Sequence, residues 1–262
     1  MEEEAKSVGS IRGVDRVVAI LELFQGGKEL TMSEVARATE LSESTVFRYL
    51  GALTGHGWLV AERSGSYRLG MRLFQLGQGA IANFDIARIS QPYMESLLSE
   101  YGETVNFAIF QSDAVVVIKS LESPSAIRRG SGVGERDYMF SSGLGKSILT
   151  CLPIEEVIRL QTEAEMQQLT EHSIMNLDDL LDDLRTARAR GYSLDDEESE
   201  LGLTCVAVAI RDGSSFPRYA LSVSGPTERI WSAIQSGLGE SVALAAAGVS
   251  RELGNLTIPS RV

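Results

Sequence analysis

The sequence predicts an α+β protein in two parts, a small helical head ending in a β-hairpin and a larger domain built on an antiparallel sheet. Three observations carry this. Three short amphipathic stretches and a strand pair fill residues 10–76. Beyond them, β-rich runs and helices alternate without the regular strand–helix–strand cadence of a doubly wound fold. The charge is also unevenly divided. The net charge is −12, yet residues 8–75 hold eight basic and seven acidic side chains, against 15 and 26 in residues 76–262. A near-neutral head before a strongly acidic remainder implies two domains with different partners. The expected partition is 1–9 a disordered acidic tail, 10–76 the head, 77–90 a linker helix, 91–250 the larger domain and 251–262 a C-terminal tail.

The elements of the head follow from spacing. Val14, Val17, Leu21 and Phe24 recur at helical intervals, and Gly26-Gly27 ends that helix. Thr31 followed by Glu34 is a capping box that starts a second helix, with Val35, Ala36 and Thr39 on its core side. Ser42 N-caps a third helix, which buries Val46, Leu50 and Leu53 and stops at Gly55 and Gly57. Trp58–Val60 and Tyr67–Leu69 read as strands joined by Ser64-Gly65-Ser66. Three helices and a hairpin form the winged helix-turn-helix layout, with the wing centred on Arg63–Arg68.

The front of the third helix carries Ser42, Ser44, Thr45, Phe47 and Arg48. In a helix-turn-helix the N-terminal residues of the second helix of the motif reach base edges in the major groove. Arg48 can donate two hydrogen bonds to guanine O6 and N7. The hydroxyls suit phosphates or bases, and a helix N-terminus itself attracts phosphate. Arg37, Arg63 and Arg68, with Arg12 and Arg16, are the expected backbone contacts. The partner this implies is double-stranded operator DNA.

In the larger domain, "MRLFQLGQGAIANFDIARISQPYMESLLSEYG" reads as helix interrupted near Gly77–Gly79 and at Pro92, with the domain junction at Gly77 to Phe84. "TVNFAIFQ" and "AVVVIKSL" form a hairpin. Asn176 caps a helix that Gly191 closes, "LTCVAVAIRD" and "RYALSVSG" are further strands, and an Ala-rich helix runs from about Glu228 to Gly248.

Other chemistries fit poorly. "GLGKS" is not a phosphate-binding loop, because Phe140 stands where the first glycine belongs. "GSGVGE" lacks the third glycine of a dinucleotide fingerprint. Nucleophilic catalysis needs a base, and His56 and His172 are the only histidines, neither near a nucleophile elbow. Cys151 and Cys205 are too isolated for a zinc site. Asp178, Asp179, Asp182 and Asp183 read as a solvated helix face, with Asp182 paired to Arg185. No catalytic residue, cofactor or metal is expected. No apolar run approaches the ~20 residues that span a bilayer. The acidic N-terminus has the wrong sign for a signal peptide, and two cysteines suit a reduced compartment, so a cytoplasmic, membrane-free protein is expected.

"SESTVFRYLGALTGHGWL" followed by "YRLGMRLFQLG" resembles the DNA-binding domain of the IclR family of bacterial transcription regulators. "FSSGLGKSIL", "GYSLDDEESELGLTCVAVAI" and "ALSVSGPTERI" are similar to that family's effector-binding domain, so the resemblance runs from about Ser10 to Gly248. It implies a curved antiparallel sheet flanked by helices and enclosing a small-molecule pocket. It implies dimerisation through the N-terminal domains, commonly extended to a homotetramer. It also implies an effector that is a small organic acid, often aromatic or a keto acid. Carried over by motif, the effector residues are Gly143, Leu144, Asp195, Cys205, Ser222 and Ser224.

Physical chemistry is compatible with that assignment. Gly143 and Leu144 sit at a helix start, where free N–H groups bind carboxylates. Ser222 and Ser224 are two apart on a strand and face one side. The Cys205 sulfur can line a pocket. Asp195 would repel an anion unless one of the two is protonated or Asp195 bonds a ligand hydroxyl. The chain departs from the family at Gly132 in "GSGVGER" and in the aromatic "RDYMFS", so Phe107, Tyr138, Met139 and Phe140 suggest a larger apolar pocket. The alternative reading is a small-molecule sensor or enzyme whose winged helix contacts protein rather than DNA.

Overall fold

The computed structural model describes residues 11–82, 86–130, 132–211 and 216–254. The chain divides into two compact units, up to Phe84 and from Asp85 onward. The expected acidic tail, 1–9, lies outside the described residues.

The N-terminal unit contains α1 (Arg12–Glu22), β1 (Leu30–Thr31), α2 (Met32–Thr39), α3 (Glu43–Gly55), β2 (Leu59–Ala61), β3 (Ser66–Leu69) and α4 (Met71–Ala82). The Thr31/Glu34 capping box is formed in both directions and starts α2. Ile20, Phe24, Val35, Val46, Leu50 and Leu59 are wholly or almost wholly buried and form the core. Val14 is exposed instead; Ile20, with Val17 and Leu21 beside it, carries the inner face of α1. The two-residue β1 is too short to show in a pattern. It joins the hairpin as a third strand, in the order β1-β3-β2. α4 runs unbroken through Gly77 and Gly79, against the expected interruption; single glycines weaken a helix by only about 1 kcal/mol.

The C-terminal unit is a curled six-stranded antiparallel sheet. Its strands are β4 (Thr104–Gln111), β5 (Ala114–Leu121), β6 (Arg136–Asp137), β7 (Ser193–Asp196), β8 (Leu203–Arg211) and β9 (Pro217–Pro226). Their order is β6-β5-β4-β9-β8-β7. Its helices are α5 (Ile86–Tyr101), α6 (Gly143–Leu149), α7 (Ile154–Glu163), α8 (Leu177–Arg190), α9 (Thr227–Gln235) and α10 (Leu238–Gly254).

Four helix expectations are corrected. The 77–90 linker helix is the end of α4 and the start of α5. Pro92 lies inside α5, where a ring normally breaks the backbone ladder. Burial of Ile86, Ile89, Met94 and Leu97 along that helix holds it together. The Ala-rich helix is two helices, split at Gly237, whose φ of 100° suits glycine alone. α10 also continues to Gly254, past the expected start of the C-terminal tail, and 255–262 lie outside the described residues. α8 begins and ends as read: Asn176 accepts from the Asp179 N–H, and Gly191 closes it in the left-handed region.

The strand register decides what each face of the sheet presents. Thr104 pairs with Ser224 and Asn106 with Ser222; Cys205 pairs with Ser224 and Ala207 with Ser222; Ser193 pairs with Ala207 and Asp195 with Cys205. Paired residues point to the same side, and so do residues two apart. One face therefore carries Thr104, Asn106, Ser193, Asp195, Cys205, Ser222 and Ser224 together. It is packed by α6, α7 and α8 in a core that includes Ala207, Ala220 and Leu144. The opposite face carries Val105, Phe107, Val206, Leu221 and Val223, all buried.

Candidate functional site

The front of α3 is fully presented. Ser42, Ser44, Phe47 and Arg48 are exposed and Thr45 is half-buried, while Val46, Leu50 and Leu53 anchor the opposite side. Phe47 is 63% exposed, which is costly for an aromatic side chain without a partner. Ser42 occupies the N-cap position without a side-chain cap bond. Its hydroxyl lies 2.8 Å from that of Thr45 and 3.2 Å from that of Ser44. The first-turn N–H groups are thus left without that side-chain acceptor. Arg37 and Arg63 are exposed. Arg68 is exposed too, but its Nε donates to Glu62 across the hairpin at 2.6 Å, so a phosphate has to compete with that carboxylate.

The second site is the polar row on the sheet beneath α6. α6 can approach only because its first residues are small. A Cβ on Gly143 would stand 3.0 Å from the Cys205 sulfur, and one on Gly145 would stand 2.5 Å from the backbone of Tyr138 and Met139. Gly145→Ala is expected to destabilise the C-terminal unit by about 1–3 kcal/mol, as overpacking does; a chemical denaturation curve checks this. The helix start is less open than its sequence implies. Ser142 Oγ accepts the Gly145 N–H at 3.0 Å, and Ser193 donates to the Gly143 carbonyl at 2.7 Å.

Ser222 and Ser224 lie on this face of the sheet; the Ser222 hydroxyl bonds the Cys205 thiol, and among the described residues the buried Ser224 hydroxyl has no hydrogen-bond partner. Ser222 lies beside the Cys205 thiol, which burial pushes up to about 12, with the Asp195 charge adding to it. A thiol held neutral in this way lines a pocket and does not serve as a nucleophile. Asp195 is more occupied than expected. Its Oδ1 accepts the N–H groups of Glu198 and Ser199 at 2.9 and 3.2 Å, and its Oδ2 accepts the Ser199 hydroxyl at 2.5 Å. Burial raises its pKa, and those bonds with Lys146 act in the other direction. Asp195 thereby shapes the turn that carries Glu198.

Two charged groups escaped the sequence reading. Arg129, in the loop after β5, donates to Asp137 Oδ1 at 3.0 Å, and both side chains are about nine-tenths buried. Thr104, the strand partner of Ser224, holds the Arg129 backbone, and the Asp195 charge acts on the guanidinium, which sets Arg129 among the candidate residues. Burial lowers the Arg129 pKa, but the Asp137, Asp195 and Glu135 charges together raise it, while burial holds Asp137 above the usual carboxylate range. The loop is pinned where it leaves the sheet: Thr104 donates to the Arg129 carbonyl, and Arg229, paired with Glu103, donates to that of Ile127. Nothing in "AIRRGSGVG" marks Arg129 as buried. Thr104 and Asn106 carried a usable signal, two polar residues at strand spacing in an apolar run, the same pattern as Ser222 and Ser224.

The second group is Lys146, which is 0% exposed on α6. It pairs with Asp183 at 2.9 Å and with Glu198. Asp183 was expected on a solvated face; it turns inward because it follows the buried Leu180 and precedes the buried Leu184 on α8. Asp182 pairs with Arg185 as read. Of the four residues expected to enlarge the pocket, Tyr138, Met139 and Phe140 line a cavity of about 330 Å³ bordered by Asp137, whose lining includes none of Gly143, Leu144, Asp195, Cys205, Ser222 and Ser224. Phe107 does not; it stacks on Tyr219 on the opposite face of the sheet, with centroids 5.6 Å apart.

Comparison with known proteins decides the family. The domain model "IclR helix-turn-helix domain" matches residues 13–63, and "Bacterial transcriptional regulator IclR C-terminal" matches residues 78–251. The chain belongs to the IclR family. It is 32% identical over 255 residues to the HTH-type transcriptional repressor AllR of Klebsiella pneumoniae, covering 97% of this chain and 94% of that protein. The IclR protein of Thermotoga maritima superposes with a TM-score of 0.73 at 26% identity, over 94% of this chain and 100% of the other. An IclR homologue from Microbacterium hydrocarbonoxydans, crystallised with 4-hydroxybenzoate, shares the fold with a TM-score of 0.79 at 24% identity, over 92% of this chain and 98% of the other. Like its IclR-family relatives, the chain is a DNA-binding transcription regulator rather than an enzyme. Among the described residues no helix is long and apolar enough to cross a membrane.

Proposed function

We propose that this regulator works in the cytoplasm as a dimer, assembling to a tetramer, and reads an operator with the front of α3. Arg48 and Phe47 meet base edges, Ser42, Ser44 and Thr45 meet bases or phosphates, and Arg37, Arg63 and Arg68 meet the backbone. The exposed aromatic, hydroxyls and arginine on an otherwise well-packed helix support this reading. In the C-terminal unit, Ser222, Ser224, Cys205, Gly143, Leu144 and Asp195 surround a small organic acid. The observation that carries the effector reading is the buried polar row in which, among the described residues, Ser224 has no hydrogen-bond partner and Ser222 bonds only the weak Cys205 thiol, grouped with a buried arginine. Buried polar groups are satisfied in the great majority of native structures, so an orphan in such a row points to a missing ligand. The acid changes DNA affinity through the segment joining the units, near Gly77–Phe84, with a coupling of about 1–3 kcal/mol.

Arg48→Ala is expected to cost about 1–3 kcal/mol of discrimination between operator and scrambled DNA. Competition binding measures it, and undiminished discrimination removes Arg48 from base reading. Replacing both Ser222 and Ser224 by alanine is expected to abolish the response to acid at unchanged DNA affinity. A double variant that still releases or engages DNA on adding acid places the effector elsewhere.

A further inference from the structure

The Arg129–Asp137 pair puts a condition on the effector. Asp137 is 7% exposed, and its Oδ1 accepts from Arg129, whereas its buried Oδ2 has no hydrogen-bond partner among the described residues. Asp195, on the same sheet face as the serines, is also buried, and Thr104, the strand partner of Ser224, holds the Arg129 backbone at 3.1 Å. The site thus sets these two carboxylates against the Arg129 guanidinium, while Lys146, also near Asp195, is already paired with Asp183 and Glu198. A plain carboxylate entering it adds a third negative charge to a desolvated region with a single guanidinium to receive it. It also leaves the Asp137 acceptor unsatisfied, which is costly in itself. A ligand that carries a hydrogen-bond donor as well resolves both problems. Its carboxylate engages Arg129 and the serine hydroxyls, and its donor fills Asp137 Oδ2. The two groups need to lie close together on the ligand, because Arg129 and Asp137 are in direct contact. Asp137 also borders the 330 Å³ cavity with Met139, Phe140, Ala164 and Ile174, which offers room for an apolar remainder.

We propose that Asp137 is the specificity-determining residue of the effector site, selecting organic acids with a hydroxyl or amino group next to the carboxylate over the same acids without one. This rests on the effector reading above and narrows it to α-hydroxy and α-amino acids with a small or aromatic remainder.

The test is calorimetric titration of the full-length protein with two matched sets of probes: phenylacetate, mandelate and phenylglycine, and propionate, lactate and alanine. In the native protein the donor-bearing members bind roughly 10–100-fold tighter than the plain acid of their set, the range expected for one hydrogen bond to a charged group. In Asp137→Ala that ratio collapses, and plain acids gain affinity because a competing charge is gone. Asp137→Asn, nearly isosteric, guards against a folding defect; it loses the amino-acid preference that depends on charge. Acids that bind without donor preference, or a preference unchanged in both variants, overturn this inference and leave the acid reading intact. Failure of every probe to bind the folded native protein overturns the acid reading and the inference with it.

Discussion

Lys146→Ala is expected to lower the unfolding free energy by about 3–5 kcal/mol, the cost of breaking a buried ion pair by removing one partner. Lys146 is fully buried and holds Asp183 and Glu198 together, so its loss leaves two carboxylates near each other in a desolvated core. The cluster has one positive and two negative members. Burial raises Glu198 to about 7 from an ordinary 4.5, against the pull of Lys146. A carboxyl whose folded pKa is raised contributes stability that is fully present below about 4.5 and lost as pH rises through about 7. The native protein is therefore expected to lose stability across that interval, and Glu198→Gln to flatten the profile. Lys146→Met combined with Glu198→Gln is expected to recover much of the loss, since an apolar replacement removes the unpaired charge. Urea unfolding of the four proteins from pH 5 to 8 measures all of this. A Lys146→Ala protein as stable as the native one shows that the cluster does not hold α6 in place.

Arg129→Gln is expected to act on both stability and response. Asp137 is left buried with neither oxygen on a cation, a loss toward the lower end of about 3–5 kcal/mol because a raised carboxyl can take up a proton instead. The response of DNA binding to acid is expected to disappear. The double variant Arg129→Gln/Asp137→Asn separates the two effects, restoring stability without restoring response. Thermal unfolding and acid-dependent DNA binding, measured on the same samples, distinguish them. A double variant that regains response assigns Arg129 a purely structural part.

The head of the molecule was legible because its signals are local. The capping box at Thr31 and Glu34, the i, i+4, i+7 stripe of Val46, Leu50 and Leu53, and the turn at Gly65 each fall within a few residues. The C-terminal strands were legible as apolar runs, and Ser222 and Ser224 by the period of two. The misses are where tertiary contacts decide. Pro92 and Gly77 contradict helix by propensity but lie within α5 and α4. The Ala-rich run breaks at Gly237, which one glycine among several does not announce. Arg129, Asp137 and Lys146 are charged residues that burial and pairing have drawn inside, and charge in a sequence reads as surface. Asp183 was misread for the same reason, since its partner is 37 residues away on α6.

The central claim is that one molecule couples sequence-specific DNA binding to a small acid. A DNA-binding titration of the full-length protein tests it most directly, using the intergenic region upstream of its own gene against scrambled competitor, with and without the donor-bearing acids. The account predicts specific binding that weakens steeply with salt as counterions are released, and a shift of roughly 5–150-fold on adding one of the acids. Equal binding to operator and scrambled DNA at every salt concentration, unmoved by any acid, contradicts it.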